Sequence, residues 1–149
     1  MKISSKVQCG IVALIDIAMN SSDNTAVTVF SISERQNISP KYLEQILMVL
    51  KQAKIIKGIK GSKGGYLLAK KPDKILFTDI LNALDVTILS DDFDENEEDS
   101  PVIETLNTFL WNRMNNGLKE YAGSISLQNA VDRCNETISE KADNFMYYI

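Results

Sequence analysis

The chain of 149 residues has no histidine. It therefore lacks the side chain most often used as a general base and as a metal ligand near neutral pH. Its two cysteines, Cys9 and Cys134, lie far apart and give no disulfide framework. No nucleophile is spaced with a base, and no metal ligands cluster, so an enzyme is not expected. There is no apolar run near the roughly 20 residues of a membrane span. Residues 7 to 19 contain Gln8, Cys9 and Asp16, and no small-residue cleavage site follows, so no signal peptide is expected. These absences lead to the expectation of a cytoplasmic protein with no membrane partner. What remains is a chain that is 44% hydrophobic, enough for one packed domain, or a small domain with an extension.

The net charge of −4 conceals a division. Residues 1 to 75 hold twelve Lys/Arg against five Asp/Glu, a net +7. Residues 76 to 149 hold four against fifteen, a net −11. The first half suits a polyanionic partner and the second does not.

Helical periodicity is clear in the basic half. Val7, Ile11, Leu14, Ile15 and Ala18 form one apolar stripe over residues 3 to 19, and the cluster SSDN at 21 to 24 ends it. Thr28 can cap a short helix running to about Gln36, with Val29 and Ile32 inward. Asn37 suits a left-handed helix end. Ser39-Pro40 then restarts a helix, with serine as N-cap and proline at the first helical position. Leu43, Ile46, Leu47 and Leu50 form its inner stripe over Ser39 to Ala53. Two helices joined by a few turn residues have the spacing of a helix-turn-helix.

Two short strands follow, at about Ile55 to Ile59 and Tyr66 to Leu68. Between them lies KGIKGSKGG, residues 57 to 65, with Lys57, Lys60 and Lys63 among Gly58, Gly61, Gly64 and Gly65. A Walker A loop requires Gly-Lys-Ser/Thr after a glycine and four residues, which is not found. A dinucleotide-binding turn lacks its surrounding βαβ unit. The stretch instead suits the tip of a basic hairpin, with Gly64 and Gly65 able to take positive φ. Thr78 is the candidate cap of a helix to Leu84.

The run DDFDENEED, residues 91 to 99, holds seven acids and suits a solvated loop. A calcium loop starting at Asp92 fails, because Glu97 stands where glycine is needed and Ile103 where the last glutamate is needed. Pro101 opens a long helix to about Lys119. Val102, Leu106, Phe109, Leu110 and Met114, joined by Ile103 and Trp111, give it wide apolar coverage, so it wants a partner. Leu127, Val131, Cys134 and Ile138 form a last short stripe. The chain closes on Asn-Phe-Met-Tyr-Tyr-Ile, an apolar tail that should dock.

The opening MKISSK, the segment VTVFSISERQNISPKYLEQIL and the segment IKGSKGGYLLAKKPDKI resemble the IscR/NsrR/CymR, or Rrf-two, family of winged helix-turn-helix repressors. The combination of Ile38-Ser39, Tyr42-Leu43-Glu44-Gln45 and Gly64-Gly65-Tyr66 carries the resemblance, which covers about residues 1 to 85 closely. It implies a mainly α fold with a small β-hairpin wing. Residues 1 to 85 would form the DNA-binding domain, 86 to 100 an acidic linker, and 101 to 149 a dimerisation helix and tail. It also implies a homodimer on a pseudo-palindromic double-stranded operator. The DNA-binding residues it implies are Thr28, Ser39, Lys41, Tyr42, Glu44 and Gln45, with Lys60, Gly61, Ser62, Lys63, Gly64, Gly65 and Tyr66 of the wing. Lysine at Lys60 departs from the arginine common there and is a less geometric donor.

Iron–sulfur members of the family carry three cysteines in the loop before the long helix. Here that loop is DDFDENEED, and no iron–sulfur cluster is expected. In this the chain is similar to the cysteine-metabolism repressors of the family, as it is in the closing Tyr147-Tyr148-Ile149. That resemblance implies O-acetylserine sulfhydrylase (cysteine synthase) as a partner, with Tyr148 and Ile149 entering its active site and O-acetylserine competing. The bland reading is that the tail packs on its own dimer. Direct regulation by a small molecule, or by oxidation of Cys9, is the alternative, with a winged helix used only for protein contacts a third reading. Cys9 has its own bland reading, a small packing residue.

Overall fold

A computed structural model describes residues 2 to 91 and 100 to 148. Three helices form the centre: α1 (Ser5–Asn20), α2 (Val29–Gln36) and α3 (Pro40–Gln52). Each starts on a hydroxyl cap, with Ser4, Thr28 and Ser39 accepting from Val7, Ser31 and Tyr42 N–H. α2 ends at Asn37 in the left-handed conformation, φ 54°, where a short polar side chain is tolerated. The core joins Val7, Leu14 and Ile17 of α1, Ile32 of α2, and Leu43, Ile46, Leu47 and Leu50 of α3. The inward stripe expected for α3 is buried; of the α2 pair, Ile32 is buried and Val29 only partly covered. In α1, Val7 and Leu14 are buried while Ile11, Ile15 and Ala18 are only partly covered.

Strands β1 (Ile56–Ile59) and β2 (Gly65–Leu68) form an antiparallel hairpin, with Ile56 opposite Leu68 and Ile59 opposite Gly65. The lysine–glycine stretch makes its turn, as the sequence implied. The glycine assignment needs correction. Positive φ falls at Gly61 (108°) and Gly65 (152°), not at Gly64. Gly64 is required for a different reason, since a β-carbon there would lie 2.5 Å from the Ile59 carbonyl oxygen. That approach tightens the turn closed by Gly64 N–H donating to Gly61 C=O at 3.0 Å.

A 3-10 turn at Pro72–Lys74 leads into α4 (Phe77–Leu84). Thr78 does not cap α4. The helix begins one residue earlier, Leu76 takes the cap position, and no side chain bonds there. The cause is a tertiary backbone pairing. Phe77 N–H donates to Ile125 C=O at 3.1 Å, and Leu127 N–H donates to Ile75 C=O at 2.8 Å. The start of the expected linker is also structured, with a 3-10 turn at Val86–Ile88 and Leu89 buried. The acidic run lies outside the described residues apart from Asp91.

The long helix begins at Pro101, capped by Ser100, and continues beyond Lys119 to Ser124. It is not uniform: α5 (Pro101–Leu106) passes through a π-helical segment, Asn107–Trp111, into α6 (Asn112–Ser124). The last stripe belongs to a longer helix than its apolar residues implied. α7 (Leu127–Tyr147) starts on a capping box between Ser126 and Asn129 and runs through residues of the expected tail. Among the described residues, no helix is long and apolar enough to cross a membrane.

Candidate nucleic-acid interface

α3 has two unlike faces. Leu43, Ile46, Leu47 and Leu50 are buried, while Lys41, Glu44, Gln45 and Met48 face solvent. A spacing of 100° per residue puts Lys41, Gln45 and Met48 along one outward stripe, with Glu44 at its edge. Pro40 and Ser39 set where this stripe begins, because together they fix the helix start.

Tyr42 is partly covered and packs against the core, so its ring is shared between core and surface. The Ser39 hydroxyl is occupied as cap to Tyr42 N–H at 3.2 Å. Thr28 is similarly engaged, accepting from Ser31 N–H at 3.1 Å and donating to the Ser31 hydroxyl at 3.0 Å. Both oxygens remain at a helix N-terminus, where N–H groups and the helix dipole favour a negative partner.

The hairpin is joined by the backbone to the segment that leads into α2. Val27 N–H donates to Tyr66 C=O at 2.9 Å, and Tyr66 N–H to Val27 C=O at 2.7 Å. Gly65 makes this possible, since a β-carbon there would lie 2.5 Å from the Val27 carbonyl oxygen. Tyr66 itself is half-buried against the core. Lys60, Gly61, Ser62 and Lys63 are exposed at the hairpin tip. Among the described residues, Lys41, Lys60 and Lys63 make no ion pair.

One residue of consequence escaped the sequence reading. Asp16 of α1 is buried, with its side chain fully enclosed. Arg35 holds it with Nε donating to Oδ2 at 2.9 Å and Nη2 to Oδ1 at 2.8 Å, and Gln36 Nε2 adds a bond to Oδ2 at 2.8 Å. The hydrogen bond to Asp16 raises the Arg35 guanidinium above its already high ordinary value. This ties the end of α2 to α1 just before the turn into α3. An aspartate within an apolar helical face was the available signal.

The other implied residues lie elsewhere. Cys9, on α1, is partly buried and packed against the core. Cys134 is on α7. Among the described residues, no group of three or more His, Cys, Asp or Glu could hold a metal ion. With no histidine and only these two thiols, the donor set does not fit a cysteine-ligated iron–sulfur cluster. Tyr148 is fully exposed beyond the end of α7, and Ile149 lies outside the described residues.

The family model "Rrf2: Iron-dependent Transcriptional regulator" matches residues 3–133. The HTH-type transcriptional regulator CymR of Bacillus subtilis is 32% identical over 149 residues, covering 100% of both chains. The regulator IscR of Xenorhabdus nematophila is 29% identical over 143 residues, 96% of this chain and 85% of that one. The solved structure of CymR, the global cysteine regulator of B. subtilis, superposes with a TM-score of 0.75 at 31% identity. It covers 89% of this chain and 98% of that one. Two capped helices meeting at Asn37, a wing joined to them through Val27 and Tyr66, and these relationships lead to one assignment. The chain belongs to the Rrf2 family of transcriptional regulators, in its CymR-like winged-helix form.

Proposed function

We propose that the protein is a homodimeric, DNA-binding transcriptional repressor of cysteine and sulfur metabolism genes that works without an iron–sulfur cluster. The observation that carries the DNA reading is the pair of exposed basic and polar groups on one tied framework. Lys41, Glu44 and Gln45 stand on the outward face of α3, and Lys60, Ser62 and Lys63 at the tip of the wing. In this reading α3 lies in the major groove and the wing meets phosphates. Ser39 and Thr28 add contacts at helix N-termini, Tyr42 borders the base edges, and Gly61, Gly64, Gly65 and Tyr66 shape the wing.

The dimer reading rests on the long helix. Val102, Leu106, Phe109, Trp111 and Met114 are all exposed, and Ala122 is the buried residue of α6. Such an apolar surface is uncommon on a chain that works alone. A two-fold dimer reads an operator of matching symmetry.

The sulfur reading comes from CymR, the global cysteine regulator of B. subtilis. O-acetylserine sulfhydrylase is the proposed partner, receiving Tyr148 and Ile149. Phe145, Met146, Tyr147 and Tyr148 are exposed and so available to a docking partner, whether that enzyme or the second copy of this chain.

The test of the DNA reading is salt dependence. Neutralising about six phosphates per dimer gives a slope of log K against log salt of roughly −5. A slope near zero overturns it. The partner reading is tested by capture from lysate with the full chain and with a chain lacking Tyr148 and Ile149. Capture of the sulfhydrylase by the full chain alone, and release by O-acetylserine, supports it; equal capture by both overturns it. Stoichiometric iron and sulfide in protein purified without oxygen would overturn the cluster-free reading.

A further inference from the structure

We propose that Met48 is a specificity-determining residue that reads a thymine methyl group in each half-site. The inference rests on the DNA-binding reading above and adds a residue to it. Met48 is 59% exposed, although it belongs to the helix whose other large aliphatic side chains are buried or partly covered. Its place is not arbitrary. Counting 100° per residue, Met48 points within about 20° of Lys41 and lies opposite the buried stripe. It therefore occupies the middle of the outward face, between the directions of Glu44 and Gln45 and one turn further along.

Lys41 to Met48 spans about 10 Å of helix axis, about the rise of three base pairs. A helix lying in the groove thus brings Met48 to the base edges beyond those reached by Gln45. Methionine has no hydrogen bond to offer a guanine or adenine edge. It offers a flexible, polarisable thioether and methyl, and the apolar feature of the major groove is the thymine C5-methyl. Lys41, Glu44 and Gln45 supply charge and hydrogen bonding on the same stripe, so Met48 is its apolar member. An exposed residue also costs the fold little to replace, which keeps the test free of unfolding.

The experiment selects binding sites from a random-sequence duplex pool with the full chain, with Met48→Ala and with Gln45→Ala. The expected result is a T·A pair, one per half-site, that the wild type enriches and Met48→Ala does not. Replacing that thymine by deoxyuridine, which lacks the methyl, should weaken the wild type about fourfold per half-site and leave Met48→Ala unchanged. The inference is overturned if Met48→Ala selects the same pattern as the wild type while Gln45→Ala shifts it. It is also overturned if no deoxyuridine replacement affects the wild type more than the variant. If the wild type selects no sequence at all, the DNA reading fails first.

Discussion

Arg35 grips the buried carboxylate of Asp16 with two parallel hydrogen bonds, 2.8 and 2.9 Å long, across nineteen residues of sequence. The geometry joins α2, the first helix of the helix-turn-helix, to α1 behind it. Arg35→Ala leaves a buried carboxylate with Gln36 as its remaining partner. Removing one partner of a fully buried pair costs about 3–5 kcal/mol. Arg35 is 38% exposed, and solvent screening reduces that cost to about 2 kcal/mol. Urea denaturation of Arg35→Ala should show that loss, and Asp16→Asn with Arg35→Ala should recover part of it. A single variant as stable as the wild type would mean the pair holds nothing together.

Gly65 is a sharper case. Its φ of 152° and the 2.5 Å from a built β-carbon to the Val27 carbonyl oxygen both oppose a side chain. Gly65→Ala must strain the backbone or part the wing from α2, at about 1–3 kcal/mol. Gly61→Ala meets backbone strain only, because its β-carbon would find open space. Thermal melts should rank Gly65→Ala below Gly61→Ala, and DNA affinity should follow the same order.

Lys54 predicts a gain. It follows α3 with φ 59°. Lys54 N–H donates to Lys51 C=O and Ile55 N–H to Leu50 C=O, the paired bonds of a Schellman helix end. Glycine suits that position without the left-handed penalty of about 1–2 kcal/mol. Its greater freedom in the unfolded chain offsets part of this. Lys54→Gly should raise stability by about 0.5–1 kcal/mol in denaturant titration, and a loss would show that the lysine side chain is itself holding the fold.

Asp91 provides a pH dependence. The hydrogen bond from Lys119, with its charge and a bond from Asn115, holds the Asp91 carboxyl below its ordinary 3.8. A depressed folded value means the stabilisation is full above the ordinary value and fades as pH falls through the folded one. The melting-temperature gap between wild type and Asp91→Asn should be steady at neutral pH and close in strong acid. A gap that widens in acid has the wrong sign for this pair.

Phe109 tests the assembly. It is 68% exposed on the long helix. Phe109→Glu should convert the proposed dimer to monomer in sedimentation and remove the proposed tight operator binding while leaving the circular dichroism of the monomer helical. A dimer that survives the charge places its interface elsewhere.

Local signals made much of this legible. Ser39-Pro40, Thr28 and Asn37 each act within a turn of their own position, and the structure uses them as the sequence indicated. The lysine–glycine stretch announced a hairpin for the same reason. What depended on distant segments was not legible. Thr78 has the chemistry of a cap, but pairing of Phe77 and Leu127 with the opposite strand-like segment moved the helix start. Positive φ falls at Gly61 and not at Gly64, which instead makes room for the Ile59 carbonyl, a contact that only the folded turn brings about. Asp16 and Arg35 show no periodic relation, and only packing brings them together. The apolar residues of the long helix were read as wanting a partner, and Val102, Phe109 and Met114 stand exposed on it. The π-helical segment has no sequence signal that we can identify.

The pairing of residues 75–77 with 125–127 has a mechanical consequence. It clamps the first turn of α7 to the base of the winged domain, while its twenty-one residues extend about 31 Å. Further along, Cys134 and Ile138 of α7 lie beside Ile15, Asp16 and Arg35, so the helix is braced against α1 before it ends in exposed aromatic residues. A force applied at Tyr147 is thus shared between α1 and the Ile75–Phe77 pairing, both of which border the core that holds α3. Whatever grasps the end of that helix pulls at the framework that carries α3.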